Sequence, residues 1–186
     1  MRVIAGSARR LLLKTPEGMD TRPTTDRIKE TLFNMLQPRI PGCRFLDLFS
    51  GSGAIAIEAL SRGAREAVLV ENQKEALRCI RENLSSTHLE DRANVMEGDV
   101  VVCLKRLEGR CEPFDIIFMD PPYNHDLERR VLSCLKNFSL STGQTLFVME
   151  ASKNTDFSWL NEEGYALVRD KEYKTNRHVF AVRKEE

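Results

Sequence analysis

The stretch Arg44-Phe45-Leu46-Asp47-Leu48-Phe49-Ser50-Gly51-Ser52-Gly53-Ala54-Ile55-Ala56 decides the fold. A short apolar run, 44–48, reads as a buried strand. It ends in a glycine loop, and residues 53–62 then carry helix-forming residues up to a stop at Gly63. Strand, glycine turn and helix in that order start a βαβ unit. Gly51-Ser52-Gly53-Ala54-Ile55-Ala56 fits the pattern G-x-G-x-x-G/A, whose glycines allow a tight turn and a close approach of backbone to a ligand.

Outward from this unit the signals alternate. Residues 66–71 read as a strand, 73–85 as a helix, 93–96 as a short strand, 100–107 as a helix, 114–119 as a strong strand, 126–138 as a helix and 145–149 as a strand. Residues 164–174 and 177–183 are β-rich, and the turn-like Lys174-Thr175-Asn176 predicts a terminal hairpin. Alternation of this kind predicts an α/β, Rossmann-like domain. It has a mostly parallel seven-stranded sheet, helices on both faces and an antiparallel hairpin at the end. Ahead of it, residues 2–14 read as a short hairpin. A helix of about 12 residues follows, capped by Thr24 or Thr25 and ended by Pro38 and Pro41. The expected division is an N-terminal extension, 1–42, and a main domain, 43–186.

Ligands of such sheets bind beyond the carboxyl ends of the strands. That selects Asp47 to Gly53, Glu71-Asn72, Gly98-Asp99 and Asp120 to Tyr123. Glu71 follows Gly51 by 20 residues, so spacing alone also admits a dinucleotide. Asp47 argues against one. A carboxylate there repels a pyrophosphate and suits a cation, although a helix cap or a local salt bridge would explain it too. Glu71 can accept from two ribose hydroxyls, and Asp99 can accept from an adenine amino group. These features resemble the class I S-adenosylmethionine-dependent methyltransferases. The resemblance implies cofactor contacts from Asp47, Phe49, Gly51, Ser52, Gly53, Glu71, Asn72 and Asp99.

Asp120-Pro121-Pro122-Tyr123 follows the strand 114–119. The proline pair forces a rigid extended exit and removes two N–H donors, so carbonyls are left as acceptors. A carboxylate, carbonyls and a flat ring suit a planar base with an exocyclic amine. Asp120 and the Pro121 carbonyl would accept its two hydrogens, and Tyr123 would stack. The motif is similar to the (D/N)PPY of methyltransferases that act on planar or amide nitrogens. That implies catalytic roles for Asp120, Pro121, Pro122 and Tyr123. A base inside a helix would have to be extruded to reach such a pocket.

Arg2-Val3-Ile4-Ala5-Gly6 and Arg22-Pro23-Thr24-Thr25-Asp26-Arg27, with Glu58-Ala59-Leu60-Ser61-Arg62-Gly63-Ala64, resemble the RsmD family of bacterial ribosomal RNA methyltransferases. The resemblance covers nearly the whole chain and is looser in the C-terminal third. It implies methyl transfer to the N2 amine of one guanine of 16S rRNA, in an assembled or partly assembled small subunit. DNA adenine-N6 methylation is the alternative from the same chemistry, and 186 residues leave little room for a sequence-reading domain. A non-catalytic RNA-binding module and a NAD-dependent oxidoreductase are the alternatives from other classes.

Charge agrees in kind. The net charge is zero, with 28 basic and 28 acidic residues, but the halves differ. Residues 1–44 carry nine basic and four acidic side chains, and 45–168 carry 13 and 20. Arg9, Arg10, Lys14, Arg22, Arg27 and Lys29 form a basic arm able to meet phosphates, with Thr24 among them as a further RNA contact. The five cysteines are scattered with no CxxC pair, so reduced core thiols are expected. The three histidines stand apart from them, and no metal is expected. With no membrane-length apolar run and no signal-peptide core, a cytoplasmic monomer is the expectation.

Overall fold

The computed structural model describes residues 1–16, 26–122 and 126–184. A seven-stranded sheet forms the centre, in the order β3-β2-β1-β4-β5-β7-β6. Its strands are β1 (Arg44–Leu48), β2 (Glu66–Glu71), β3 (Ala93–Glu97), β4 (Ile116–Met119), β5 (Leu146–Ser152), β6 (Tyr165–Glu172) and β7 (Asn176–Arg183). The first five are parallel, and β7 runs antiparallel between β5 and β6. Among the described residues five α-helices pack on the faces: α1 (Asp26–Leu36), α2 (Ala54–Ser61), α3 (Lys74–Thr87), α4 (Val100–Leu107) and α5 (Leu127–Lys136). β1 is buried along its whole length because both faces are covered, which is why it reads as a continuous apolar run.

The sequence expectations for the sheet and helices hold, with ends moved by a few residues. Asn176 starts β7 instead of closing a turn. The N-terminal hairpin is reduced to a single bridge, Arg2 opposite Leu12, with turns between. Thr24 and Thr25 lie outside the described residues. All five cysteines are free thiols; Cys43, Cys79 and Cys103 are buried, and Cys111 and Cys134 are half-buried.

Two apolar cores fill the two faces. One joins Val3, Ala8, Leu13 and α1 residues Leu32, Phe33 and Leu36 to α2 and to Phe45, Phe118, Val148 and Phe180. The other joins α4, α5, Phe114 and Tyr165 to the opposite side chains of the sheet. The N-terminal segment is held on α2 by Glu58, whose carboxylate accepts from the backbone N–H of Ile4 (2.8 Å) and Ala5 (3.0 Å). Gly6 has φ +86°, and a Cβ there would meet the Ser61 carbonyl oxygen at 1.8 Å, so only glycine allows this approach.

Lys29 corrects the basic arm. It is fully buried, 3.2 Å from Glu58, and donates to the Arg2 carbonyl at 2.5 Å. Burial pulls its ammonium below the usual lysine range, and the Glu58 charge only partly restores it. Its position, with Leu32, Phe33 and Leu36 on the same helical face, places it inside. Lys14 is exposed and paired with Glu82 at 2.7 Å.

Candidate active site

The strand order reverses at β1. The chain moves outward through β2 and β3, then returns to β4 on the other side. The crevice of such a sheet opens at that switch point, over the carboxyl ends of β1 and β4. The glycine loop and Asp120 both sit there.

Phe49 leaves β1 in the left-handed region (φ 64°), and Gly51 and Gly53 follow at 55° and 77°. A phenylalanine in that conformation is strained and persists only where its surroundings hold it. A Cβ on Gly51 would meet nothing within 4 Å, so the loop opens outward there. A Cβ on Gly53 would press on Leu69 at 3.1 Å, so the second glycine serves packing against β2.

Glu71 is buried at the end of β2. Its Oε2 accepts the Gly51 N–H at 2.8 Å, and its Oε1 accepts those of Asn72 (2.8 Å) and Gln73 (2.9 Å). The acid thereby locks the loop. Asn72 is exposed beside it. Ser52 is fixed by a residue that sequence reasoning missed, Asn83 of α3. Its Nδ2 donates to the carbonyls of Ser52 and Lys14, both at 2.9 Å, and its Oδ1 accepts the Lys14 N–H at 2.8 Å. Asn83 thus joins the glycine loop to the N-terminal segment. Its place on the apolar side of α3 was the only signal.

Asp47 is 1% exposed, and its Oδ2 accepts the Ala56 N–H at 3.2 Å in the first turn of α2. The helix-cap reading therefore holds, and the buried carboxylate still lies beside the loop. Burial pushes it up to about 8; the Ala56 N–H opposes this, and the Glu71 charge adds to it. Asp99 is exposed and caps α4, its Oδ1 accepting from Val102 at 3.1 Å. Cap and ligand roles can share a carboxylate, because each oxygen has two lone pairs.

Asp120 follows β4 directly. Burial holds it well above the usual carboxylate range, with Glu150, Asp47 and Glu128 adding like charge. Pro121 is buried behind it and Pro122 exposed; Tyr123 lies outside the described residues. Arg9, Arg10 and Arg27 are exposed, whereas Arg22 and Thr24 lie outside the described residues. The described residues contain no group of acids, histidines and cysteines able to hold a metal, and no helix long and apolar enough to cross a membrane.

The sequence model of the family Conserved hypothetical protein 95 matches residues 1–182. The chain belongs to this family. It is 33% identical over 174 residues to the ribosomal RNA small subunit methyltransferase D of Haemophilus influenzae, covering 92% of this chain and 88% of that one. The Escherichia coli protein of the same name is 34% identical over 151 residues, 81% of this chain and 74% of that one. The solved structure of the Thermus thermophilus protein TTHA0928 superposes with a TM-score of 0.82 at 35% identity, over 97% and 98% of the two chains. The fold is that of the class I methyltransferases. The site fits S-adenosylmethionine as the methyl donor. Glu71 and the Asp47 carboxyl, which a cation beside it would draw to ionise, favour a sulfonium and an ammonium over a pyrophosphate, and the open side of Gly51 leaves the loop backbone reachable.

Proposed function

We propose that this Conserved hypothetical protein 95 member methylates the exocyclic N2 amine of one guanine of 16S rRNA. The carrying observation is the place of Asp120. It lies at the switch point, one residue beyond β4, on the same edge as the glycine loop of β1. Ribosomal RNA as substrate is supported by the names of the relatives.

In this reading the donor supplies an activated methyl group on a cationic sulfur. Glu71 orients the ribose and the Gly51 loop, Asp99 meets adenine, and Asn72, Ser52 and Phe49 line the cofactor side. Asp47, ionised by the cation that binds beside it, sets a negative field there. Asp120 and the Pro121 carbonyl accept the two hydrogens of the guanine amine, Pro122 stiffens the exit, and Tyr123 stacks on the base. Two acceptors draw the nitrogen lone pair out of conjugation and aim it in line with the leaving sulfur. Catalysis is then positioning and electrostatics. Residues 1–42 with Arg9, Arg10, Arg22, Thr24 and Arg27 face RNA phosphates, and residues 43–186 do the chemistry. The substrate is an assembled or partly assembled small subunit, met by a monomer in the cytoplasm.

The test uses small subunits from a strain lacking the modification, with labelled methyl donor, followed by nucleoside analysis. N2-methylguanosine is expected. Label confined to DNA adenine, or no label in RNA, would reject the proposal.

A further inference from the structure

The carboxyl edge of β4, β5 and β7 holds a polar row that the proposed reaction leaves unused. Met119 of β4 pairs with Met149 of β5, so Asp120 stands level with Glu150, and Glu150 pairs in turn with His178 of β7. Residues level on neighbouring strands are about 5 Å apart and share a face. The row therefore runs Asp120, Glu150, His178, with Asn176 on the same face of β7. Glu150 and His178 are buried and Asp120 is half-buried, so the row comes nearest to solvent at Asp120.

Hydrogen bonds fix Glu150 from behind. Asn176 Nδ2 donates to its Oε1 at 2.6 Å, and His178 Nε2 is 2.9 Å from its Oε2. The Tyr173 hydroxyl is 3.1 Å from His178 Nδ1. Burial, with the Glu150 charge adding to it, pushes that hydroxyl up to about 12, so it keeps its proton and donates. Nδ1 is then the acceptor, and Nε2 carries the proton that points at Glu150. Both Glu150 oxygens thus accept, as those of an ionised carboxylate do, and the imidazole supplies its hydrogen bond without a second proton. Facing Glu150 are Asp120, His178, Asn176 and Tyr173. The ionisable groups that bear on Asp120 are Glu150 from β5, Asp47 from β1 and Glu128 from α5, all acids, with Glu150 the strongest. Asp47 stands level with Phe118, two residues back along β4.

We propose that Glu150 is a positioning residue for methyl transfer, a fixed charge that makes Asp120 the base for the proton released by the guanine amine. The proposal rests on the guanine-N2 reading. In the transfer the amine nitrogen bonds the methyl carbon, and the carbon–sulfur bond breaks with its electron pair left on sulfur. The nitrogen then sheds one proton, which the Asp120 carboxylate takes. A like charge beside a carboxylate strengthens its hold on a proton, so Asp120 is a better base than an ordinary exposed acid. His178 and Tyr173 keep that charge oriented and uncancelled.

The test is the pH profile of the single-turnover rate on small subunits lacking the modification, at saturating S-adenosylmethionine. Asp120 must be ionised to take the proton, so the rate should fall on the acid side. Glu150→Gln removes the charge and keeps the shape. Asn176 Oδ1 has no hydrogen-bond partner among the described residues, so its amide can turn over and accept from the new one. The acid limb of Glu150→Gln should move down by ~1 pH unit, the scale of one like charge at this separation. Glu150→Asp keeps the charge and should hold the limb within ~0.3 pH unit of wild type. Tyr173→Phe leaves Nδ1 open to a proton, and the imidazolium would cancel Glu150, so the limb should move down here too. A limb midpoint does not depend on how much of a sample is folded. If Glu150→Gln does not fold at all, Tyr173→Phe carries the test. An unmoved limb in the variant that carries the test, or an equal shift in Glu150→Asp, would make Glu150 a structural residue; with N2-methylguanosine as the wild-type product, this proposal then fails alone. If wild-type enzyme labels another nucleoside, the guanine reading itself fails, and this proposal with it.

Discussion

The backbone N–H of Gly51 donates to the Glu71 carboxylate at 2.8 Å, so the acid at the end of β2 holds the loop at the end of β1. Loop geometry therefore depends on one side chain, and in the proposed reading the ribose depends on it too. Glu71→Ala should weaken S-adenosylmethionine binding by ~10- to 100-fold, on the scale of one or two charge-assisted hydrogen bonds. Glu71→Gln should fall between, because its single carbonyl can replace only one of the two oxygens. Calorimetric titration of the cofactor checks this, and an unchanged Kd for Glu71→Ala would remove Glu71 from the site.

Asp120 follows β4, next to the glycine loop of β1, and the proposed reading gives it the amine and not the cofactor. Asp120→Ala should lower kcat by ~10³-fold, the scale of losing one preorganised electrostatic group. Cofactor affinity should stay within ~3-fold, since no cofactor contact is assigned to Asp120 and the lost charge acts at a distance. Single-turnover kinetics on subunits, beside a cofactor titration, separate the two. A variant that turns over normally would leave Asp120 as a mere strand end.

Much of the fold was legible because the inner parallel strands β1, β2, β4 and β5 are buried on both faces and read as apolar runs, as in Phe45-Leu46 and Ile116-Ile117-Phe118. The glycine loop and Asp120 were legible because they follow such runs directly. Contacts between distant segments were not. His178 and Glu150 are 28 residues apart and meet only through the β5–β7 register, so the three histidines read as isolated. Lys29 counted toward a basic surface because charge arithmetic carries no burial. Its spacing to Leu32, Phe33 and Leu36 carried that information. Asn83 gave no chemical signal at all; its role depends on the N-terminal segment folding back over α3.

Asp47 makes stability, and in the proposed reading cofactor binding, depend on pH. Its folded carboxyl sits near 8, above the ordinary 3.8. Between those values the folded chain holds a proton that the unfolded chain has released. Stability therefore falls as pH rises from about 4 to about 8, with a slope of at most ~1.4 kcal/mol per pH unit from this group. Asp120, raised in the same direction, adds to the slope. Asp47→Asn should flatten it in urea titrations at pH 5.5 and 7.5 (about two pH units inside the linkage window). A cationic cofactor favours the ionised form, so binding near pH 7 should release protons. Calorimetry in buffers of different ionisation enthalpy measures that release. Equal proton release by wild type and Asp47→Asn would rule this group out as the source.

Arg9 and Arg10 are exposed on the N-terminal segment and make no ion pair among the described residues. If they meet phosphates, Arg9→Glu/Arg10→Glu should weaken subunit binding and lower the salt slope of log K by about one for each lost contact. Cofactor binding should not move. Binding isotherms at several salt concentrations decide it, and an unchanged slope would put the RNA face elsewhere.

Lys29 is the strongest test of how the N-terminal segment is held. Glu58 accepts from Lys29, from Arg62 and from two backbone N–H groups, and both Lys29 and Glu58 are fully buried. Lys29→Met keeps much of the length and removes the charge. Taking away one partner of a buried pair costs about 3–5 kcal/mol, because the other charge stays behind. Here Arg62, 2.8 Å from Glu58, still offsets part of it, so the loss should sit at the lower end. Lys29→Met/Glu58→Gln removes both charges and should recover part of the stability. Urea unfolding of the two variants measures the difference. A double variant no more stable than Lys29→Met would mean that the pair is held for its backbone contacts to Arg2, Ile4 and Ala5, and that the charges themselves contribute little.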